Sequence, residues 1–227
     1  DVAHATKVIK DASQKGALLV KQLLSVANLE DPHKEICNVN LVIEQELDGL
    51  SELLTEGQEI SIDLEDNIPG SYVDPRHLIR ILKTLVMNAS EAMDDGGVVE
   101  VFSDSISIDS ESPHFEVPYG RYIRIGVRDD GIGMDSEILR RCFEPFYTTK
   151  DVDPGSGIGM TGAGLGLAAA YALARRNGGR LVADSRPGHG SLFTLYVRVA
   201  DKDVIEEDDS LRAVSYTHLT LPTSFLV

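Results

Sequence analysis

Residues 127–134 have the sequence Val-Arg-Asp-Asp-Gly-Ile-Gly-Met, in which a strand-like segment ends on a carboxylate and two glycines bracket one apolar residue. The carboxylate of Asp129 can accept a hydrogen bond from the exocyclic amino group of adenine, whereas guanine carries a carbonyl at that position. Gly131 and Gly133 lack a Cβ atom, so their backbone can approach a flat base closely. The alternative is a tight turn after a strand, which many Asp-x-Gly sequences form.

The segment before this stretch predicts a helix that begins at Asp74, an N-cap residue followed by a proline at the first helical position. We expect the helix to run to about Met93. Its apolar face consists of Leu78, Ile81, Leu82, Leu85 and Val86. Asn88 lies late in this helix, where its amide oxygen can coordinate a hard cation, although a lone asparagine more often has an exposed or capping role.

The segment after the stretch, residues 142–150, has the sequence Cys-Phe-Glu-Pro-Phe-Tyr-Thr-Thr-Lys. Phe143 and Phe146 are expected to anchor it, and the two threonines, the second of which is Thr149, then enter a loop together with Lys150. An ammonium group can meet a phosphate as a point charge. The alternative is a hydrophobic anchor followed by a solvated lysine.

A glycine-rich segment, Gly-Ala-Gly-Leu-Gly-Leu at residues 162–167, lies between a loop and a predicted helix over 165–177. Free amides at a helix start, with glycines nearby, form a site for anions such as a triphosphate, or else a simple helix cap. Residues 157–162 also match G-x-G-x-x-G, but a loop precedes them where a dinucleotide fingerprint requires a strand. The sequence contains neither a P-loop nor the signatures of eukaryotic-type protein kinases.

Hydrophobic periodicity outside these motifs predicts the fold class. Further helices are predicted over residues 1–29, 39–57 and 135–142, and strands over 60–64, 98–108, 122–128, 180–185 and 191–199. Because the strands do not alternate regularly with helices, we expect an α+β fold. It would be a two-layer α/β sandwich, with one mixed sheet and helices on one face, preceded by a long helix.

Composition narrows the possible functions and partners of the chain. The net charge of −16 over 227 residues disfavours a broad nucleic-acid surface. Cys37 and Cys142 lie far apart without metal-type spacing, which is typical of reduced thiols in a cytoplasmic protein. No apolar run reaches the ~18 residues of a membrane span, so we expect no membrane contact within these residues, although a full-length parent can be anchored.

The four motifs, taken in their order along residues 77–167, resemble the N, G1, F and G2 boxes of sensor histidine kinases. These enzymes share the Bergerat ATP-binding fold of the GHKL class with gyrase and MutL. The resemblance covers about residues 70–199 and implies ATP and Mg²⁺ as cofactors. Asn88 would be the metal ligand. The ATP-binding residues that it implies are Asn88, Asp129, Gly131, Gly133, Thr149, Lys150, Gly162, Gly164, Leu165, Gly166 and Leu167.

The sequence departs from the family pattern at three places. Thr84 stands where members usually carry a second asparagine, Ala163 replaces a common threonine, and the loop over 151–161 is longer than in the simplest members. In hydrolytic relatives, the position of Thr84 holds a glutamate that activates water. A threonine cannot serve as that base, which favours a protein-histidine kinase. A GHKL-type ATPase and a non-catalytic nucleotide-binding scaffold remain as alternatives.

The resemblance also implies a domain organisation and partners. Residues 1–30 resemble the second helix of a truncated dimerisation and phosphoacceptor hairpin, and residues 31–200 the catalytic ATP-binding domain. The composition changes after Ala200, so we expect residues 201–227 to be an acidic linker and a tail that stems from cloning or an out-of-frame sequence. We expect the acceptor histidine upstream, so that no catalytic residue lies in this fragment. A homodimer through the hairpin and the receiver domain of a response regulator are the implied partners.

Overall fold

The structure, a computed structural model, describes residues 32–94, 96–109, 117–149 and 164–201. The predicted helix over 1–29 and the acidic linker and tail after residue 201 lie outside the described residues. In the described ranges, the elements in chain order are β1 (Glu35–Cys37), α1 (Val39–Gln45), α2 (Leu47–Ser51), β2 (Gln58–Leu64), β3 (Ser71–Val73), α3 (Pro75–Ser90), β4 (Gly97–Ile108), β5 (Gly120–Asp129), α4 (Ser136–Arg141), α5 (Gly166–Arg176), β6 (Arg180–Ser185) and β7 (Ser191–Arg198).

Five of the strands form a mixed sheet in the order β2-β4-β5-β7-β6. β2 and β4 run parallel, with Gln58 opposite Gly97, and the remaining pairs are antiparallel. The prediction of one mixed sheet with helices is confirmed. A second sheet, formed by β1 and β3 alone, was not predicted, because three-residue strands carry too little alternation to be recognised.

The core lies between the five-stranded sheet and the helices α3 and α5. Alternate residues of the central strands point to that side, as expected for a sheet with one covered face. They meet the apolar faces of the two helices. The core residues contributed by strands include Val99, Val101, Ile123, Ile125, Val127, Leu181, Phe193, Leu195 and Val197. A second, smaller cluster consists of Ile108, Val117, Tyr122 and Tyr196.

Two predicted helices have different bounds in the structure. The helix predicted over 39–57 is wrong as a single element, because it breaks at Glu46 into α1 and α2 and the chain leaves helical structure after Ser51. α3 ends at Ser90, just short of Met93, because the buried Gln58 amide donates hydrogen bonds to the carbonyls of Ser90 and Met93 (2.8 and 2.7 Å).

The start of α3 is as predicted. Asp74 is the N-cap residue, its Oδ1 accepts a hydrogen bond from the Arg76 amide at 3.0 Å, and proline follows at the first helical position. Such a cap satisfies an amide that would otherwise have no helical partner. No helix within the described ranges is long and apolar enough to cross a membrane.

Candidate functional site

A cavity of about 400 Å³ opens beside the C-terminal half of α3. Its other walls come from the loop after β5, the segment after α4 and the N-terminus of α5. The lining residues are Thr84, Met87, Asn88, Glu91, Ala92, Ile132, Gly133, Met134, Ile138, Cys142, Tyr147, Thr148, Thr149, Gly164, Gly166, Leu167 and Ser191. Residues of all four motifs therefore lie at one cavity.

The wall formed by α3 carries three polar side chains on one face. Thr84, Asn88 and Glu91 follow at helical spacing, so their side chains lie above one another. The Thr84 hydroxyl donates a hydrogen bond to the Arg80 carbonyl at 2.9 Å. The half-buried amide of Asn88, in contrast, has no hydrogen-bond partner among the described residues. Glu91 is exposed at the cavity and was not predicted as a site residue.

The carboxylate of Asp129 lies behind the cavity wall. Asp129 is the last residue of β5 and only 3% exposed. Its Oδ1 accepts hydrogen bonds from the backbone amides of Gly131 (3.0 Å) and Ser191 (3.1 Å), whereas Oδ2 accepts none from described residues. Burial raises the pKa of Asp129 above its usual value, and these two bonds oppose the rise. One oxygen of a tightly held carboxylate therefore remains for a ligand donor.

The two glycines after Asp129 differ in position. Gly133 lines the cavity and has a φ of +66°, which side chains rarely adopt. Gly131 does not line the cavity. A Cβ atom there would collide with the carbonyl of Ala92, which accepts a hydrogen bond from the Ile132 amide at 3.0 Å. The close approach at Gly131 is thus to the end of α3.

The turn between β6 and β7 holds the loop after β5 through backbone hydrogen bonds. From the sequence, residues 186–190 were predicted only to form a turn. The Gly188 amide donates to the Ile132 carbonyl (2.7 Å), and the Gly190 amide donates to the Gly131 carbonyl (2.9 Å). Ser191 at the start of β7 reaches the cavity itself. The glycines of residues 188–190 indicate a tight turn, but the local sequence does not show that this turn bonds to the loop after β5.

The segment after α4 brings aromatic and hydroxyl groups to the site. The Phe143 ring packs against Tyr171 and Phe193, with ring centroids 5.1 and 6.2 Å apart. Phe146 was expected to anchor the segment in the same way, but its side chain is 46% exposed and its φ is +68°. Its backbone amide instead donates to the Gly164 carbonyl at 2.8 Å. Thr149 lines the cavity, as does Thr148.

The start of α5 supplies the remaining predicted residues. Gly164, Gly166 and Leu167 line the cavity, whereas Leu165 is buried at 2% exposure and is the N-cap position of α5. The side chain of Leu165 makes no capping hydrogen bond at this helix start. Its amides and dipole can therefore meet an anionic ligand. Lys150 and Gly162 lie outside the described residues.

The cavity wall carries side-chain oxygens of the kind that could hold a hard cation. In the described part of the chain, no three residues of the types histidine, cysteine, aspartate and glutamate form a metal-ligating group. Mg²⁺ in nucleotide sites takes one or two protein oxygens, and phosphates and water complete its shell. The Asn88 amide and the Glu91 carboxylate meet that requirement.

Comparison with known proteins decides the family. The family of histidine kinase-, DNA gyrase B- and HSP90-like ATPases matches residues 73–201. The chain belongs to this family. The matched range contains the cavity-lining residues and Asp129, and the family predicted from the four motifs is confirmed.

Individual members of the ATPase family are similar to the chain. The sensor kinase CckA of Brucella abortus (strain 2308) is 28% identical over 83% of this chain, and the sporulation kinase E of Bacillus subtilis (strain 168) is 33% identical over 62%. The chain spans 20% and 16% of the lengths of these relatives.

Solved structures confirm the fold. Full-length ShkA in complex with AMPPNP has a TM-score of 0.63 at 22% identity, covering 87% of this chain and 39% of that one. The mycobacterial sensor histidine kinase MprB has a TM-score of 0.54 at 20% identity, covering 74% of this chain and 99% of that one. At these identities the likeness establishes the fold alone.

Proposed function

We propose that this histidine kinase-type ATPase domain binds Mg²⁺·ATP in the cavity and transfers the γ-phosphoryl group to a histidine of a dimerisation hairpin. The observation that carries the proposal is the Asn88 amide, a half-buried polar group in the cavity wall without a hydrogen-bond partner among the described residues. Buried polar groups in folded proteins are normally paired with protein atoms or ordered water. An unpaired one that faces a cavity supports a role in ligand binding.

Asn88 would hold the metal ion through its amide oxygen, with Glu91 as a second oxygen ligand or as a partner of its bound water. When bound, Mg²⁺ neutralises charge on the phosphates and orients them. The uncapped start of α5 would hold the phosphates through its amides. Gly164, Gly166 and Leu167 line the cavity at this point, which supports the proposal. For Leu165 the backbone would make the contact, since its side chain is buried.

The opposite end of the cavity would hold the base. The Oδ2 atom of Asp129 can accept a hydrogen bond from an exocyclic amino group. Gly133 lines the cavity, but a Cβ atom there would collide with the Arg186 carbonyl, so the glycine allows close packing against the turn between β6 and β7 rather than making room for the ring. Gly131 would act indirectly, through its packing against the end of α3. Thr149 lines the cavity. We propose that Thr149, Lys150 and Gly162 also contact the nucleotide.

The reaction would need little covalent chemistry from this domain. Phosphoryl transfer depends on in-line positioning and on stabilising the charge of the transferred group. The nucleophile would be a neutral imidazole on another helix, and the phosphoryl group would pass from it to an aspartate of a response regulator. We propose residues 1–30 as part of the dimerising hairpin, 31–200 as the catalytic domain and 201–227 as linker and tail. Its place would be the cytoplasm, where ATP is available.

Glu91 favours a second candidate function, hydrolysis of ATP. Thr84 cannot accept a proton from water, and its hydroxyl is already bonded to Arg80. Glu91, however, places a carboxylate on the same wall of the cavity, three residues after Asn88. A carboxylate near the γ-phosphate can act as a general base. An ATPase without an acceptor histidine would use this group.

Transfer of label from ATP separates the two functions. The full chain is incubated with γ-labelled ATP, Mg²⁺ and a dimerisation hairpin that carries an acceptor histidine. A kinase would label the hairpin with an acid-labile, base-stable phosphoryl group, as expected for a phosphorus–nitrogen bond. Phosphate release without labelling would contradict the kinase proposal. Glu91→Gln keeps an oxygen ligand but cannot take a proton, so it would stop hydrolysis and leave transfer largely intact.

A further inference from the structure

Ser185, the last residue of β6, joins three segments through one hydroxyl group. Its Oγ accepts a hydrogen bond from the Met134 amide at 2.7 Å, lies 2.7 Å from the Gly190 carbonyl oxygen, to which it donates, and lies 3.1 Å from the Ser191 hydroxyl. Ser185 does not line the cavity, whereas Met134 and Ser191 do. The hydroxyl therefore contacts two parts of the cavity wall from behind.

The proton positions in this cluster follow from donor and acceptor counting. A hydroxyl has one hydrogen and two acceptor lone pairs. The Gly190 carbonyl can only accept, so the hydrogen of Ser185 is directed to it. Met134 and Ser191 must then both donate to Ser185, which fills its two lone pairs. As a result, the hydrogen of Ser191 is directed away from a ligand, and its lone pairs remain.

Ser191 and Asp129 belong to the same edge of the site. The Ser191 amide donates to Oδ1 of Asp129 at 3.1 Å, which places the serine next to the carboxylate. An ionised carboxylate only accepts hydrogen bonds. With the Ser191 hydroxyl fixed as an acceptor, the side chains of Asp129 and Ser191 both present acceptors. A base that places an exocyclic amino group against these two side chains, as adenine can, would be favoured there, and a base that places a carbonyl there would be repelled.

We propose that Ser185 is a positioning residue for nucleotide selection: it fixes the Met134 backbone and orients the Ser191 hydroxyl so that this hydroxyl, like the Asp129 carboxylate, accepts hydrogen bonds from the base and does not donate them. This inference rests on the proposed binding of ATP at this cavity. Without Ser185, the Ser191 hydroxyl could rotate and donate to a carbonyl. The selectivity for adenine over guanine would then fall, even if the fold persisted.

The test compares the affinities of the full chain for ATP and for GTP, measured by equilibrium titration with Mg²⁺. Ser185→Ala is expected to bind ATP about tenfold more weakly, since it removes the acceptor of the half-buried Met134 amide and frees the cavity wall there. Its ratio of ATP to GTP affinity is expected to fall as well. Ser185→Thr keeps the hydroxyl and is expected to retain both. The thermal unfolding midpoint is recorded for each variant.

A matched control is Ser71→Ala. The Ser71 hydroxyl also donates to the backbone, at 2.8 Å from the Arg198 carbonyl oxygen, and Ser71 is fully buried, whereas Ser185 is half-buried. Ser71 does not line the cavity. Its loss is expected to lower the unfolding midpoint and to leave the affinity ratio unchanged. If Ser185→Ala does not fold, Ser185→Cys, which preserves the volume but bonds weakly, takes its place with the same expectation.

The possible results separate the role of Ser185 from the proposed binding of ATP. An unchanged affinity ratio in folded Ser185→Ala or Ser185→Cys would overturn the role of Ser185, while ATP binding by the wild type would leave the proposed function standing. Wild-type chain that binds no ATP would overturn both. A reduced ratio that Ser185→Thr also shows would mean that the hydroxyl is not the cause, and it would contradict the inference.

Discussion

The two ends of α3 carry polar side chains that differ in their hydrogen bonding. At the N-terminal end, Asp74 is fully buried and accepts hydrogen bonds from the amides of His33 (2.8 Å) and Arg76 (3.0 Å) and from the Arg76 guanidinium. Asn177 accepts from the Asp74 amide at 2.8 Å. It also donates to the Leu173 carbonyl (2.8 Å) and to Nδ1 of His77 (3.1 Å).

At the C-terminal end of α3, the amide of Asn88 has no hydrogen-bond partner within the described residues and lines the cavity. Asn88 and Asn177 are the same residue type in the same layer of the fold. The difference teaches that residue type does not distinguish structural from ligand-binding groups. If Asn88 binds a ligand as proposed, the number of satisfied hydrogen bonds makes the distinction, since a buried amide whose bonds are complete has nothing left to offer a ligand.

The largest expected effect comes from replacing Asn88, at the C-terminal end of α3. Asn88→Ala should slow phosphoryl transfer to a supplied hairpin by about 100-fold or more, the scale of losing one group that stabilises developing charge. The free energy of unfolding should change by less than about 0.5 kcal/mol, because no internal hydrogen bond is lost. Transfer is measured with labelled ATP and stability by denaturant titration. If the variant is stable and phosphoryl transfer is undiminished, Asn88 does not bind the metal or the nucleotide.

The next effect has the reverse pattern. Asn177→Ala should lower the free energy of unfolding by about 2 kcal/mol, because the buried Asp74 amide loses its acceptor. ATP affinity of the folded protein should stay as in the wild type. Denaturant titration and nucleotide titration are performed on both asparagine variants, so that each serves as the control of the other. Loss of ATP affinity in folded Asn177→Ala would contradict a purely structural role for Asn177.

The smallest effect concerns pH at the structural end. Burial lowers the pKa of His77, and Arg76, Arg176 and Arg80 add to this, while Asp74 opposes it. The folded state thus keeps His77 neutral, consistent with Nδ1 as an acceptor from Asn177. The unfolded state binds the proton more readily, so stability is retained above about pH 6.5 and falls as the pH drops below it. His77→Gln should flatten this dependence between about pH 7 and 5, as followed by denaturant titration.

Asp74 should dominate at lower pH. Burial alone would raise the pKa of its carboxyl, but hydrogen bonds from Arg76 and His33 hold it well below its usual range. The stability that it contributes is present above its ordinary pKa of about 3.8 and is lost as the pH falls further. The two groups therefore act in different pH windows. A wild-type curve without a loss between about pH 7 and 5 would contradict the assignment for His77.

The elements with strong patterns could be predicted from the sequence. The cap at Asp74, the apolar face of α3 and the strands of the mixed sheet are set by local sequence. The split of residues 39–57 into two helices was not predictable, because the apolar periodicity continues through Glu46. The last turn of α3 depends on Gln58, which is 32 residues from Ser90 and is brought there by the parallel pairing of β2 and β4.

The site was predictable in part for the same reason. Asn88, Gly133, Thr149, Gly164, Gly166 and Leu167 belong to local motifs, and they meet at the cavity. Ser185 and Ser191 could not be recognised, because their contacts with Met134 and Asp129 join residues 51 and 62 positions apart. Glu91 was not recognised, since an exposed glutamate at a helix end is common. The exposed Phe146 departs from its pattern because a positive φ turns the chain there.

The distinction between the two asparagines is tested most directly by the Mg²⁺ dependence of ATP affinity in the wild type, Asn88→Ala and Asn177→Ala. Affinity is measured by equilibrium titration with Mg²⁺ and with a chelator in its place. Mg²⁺ should strengthen ATP binding in the wild type and in Asn177→Ala, and it should have little effect in Asn88→Ala. The same gain from Mg²⁺ in all three proteins would contradict the account.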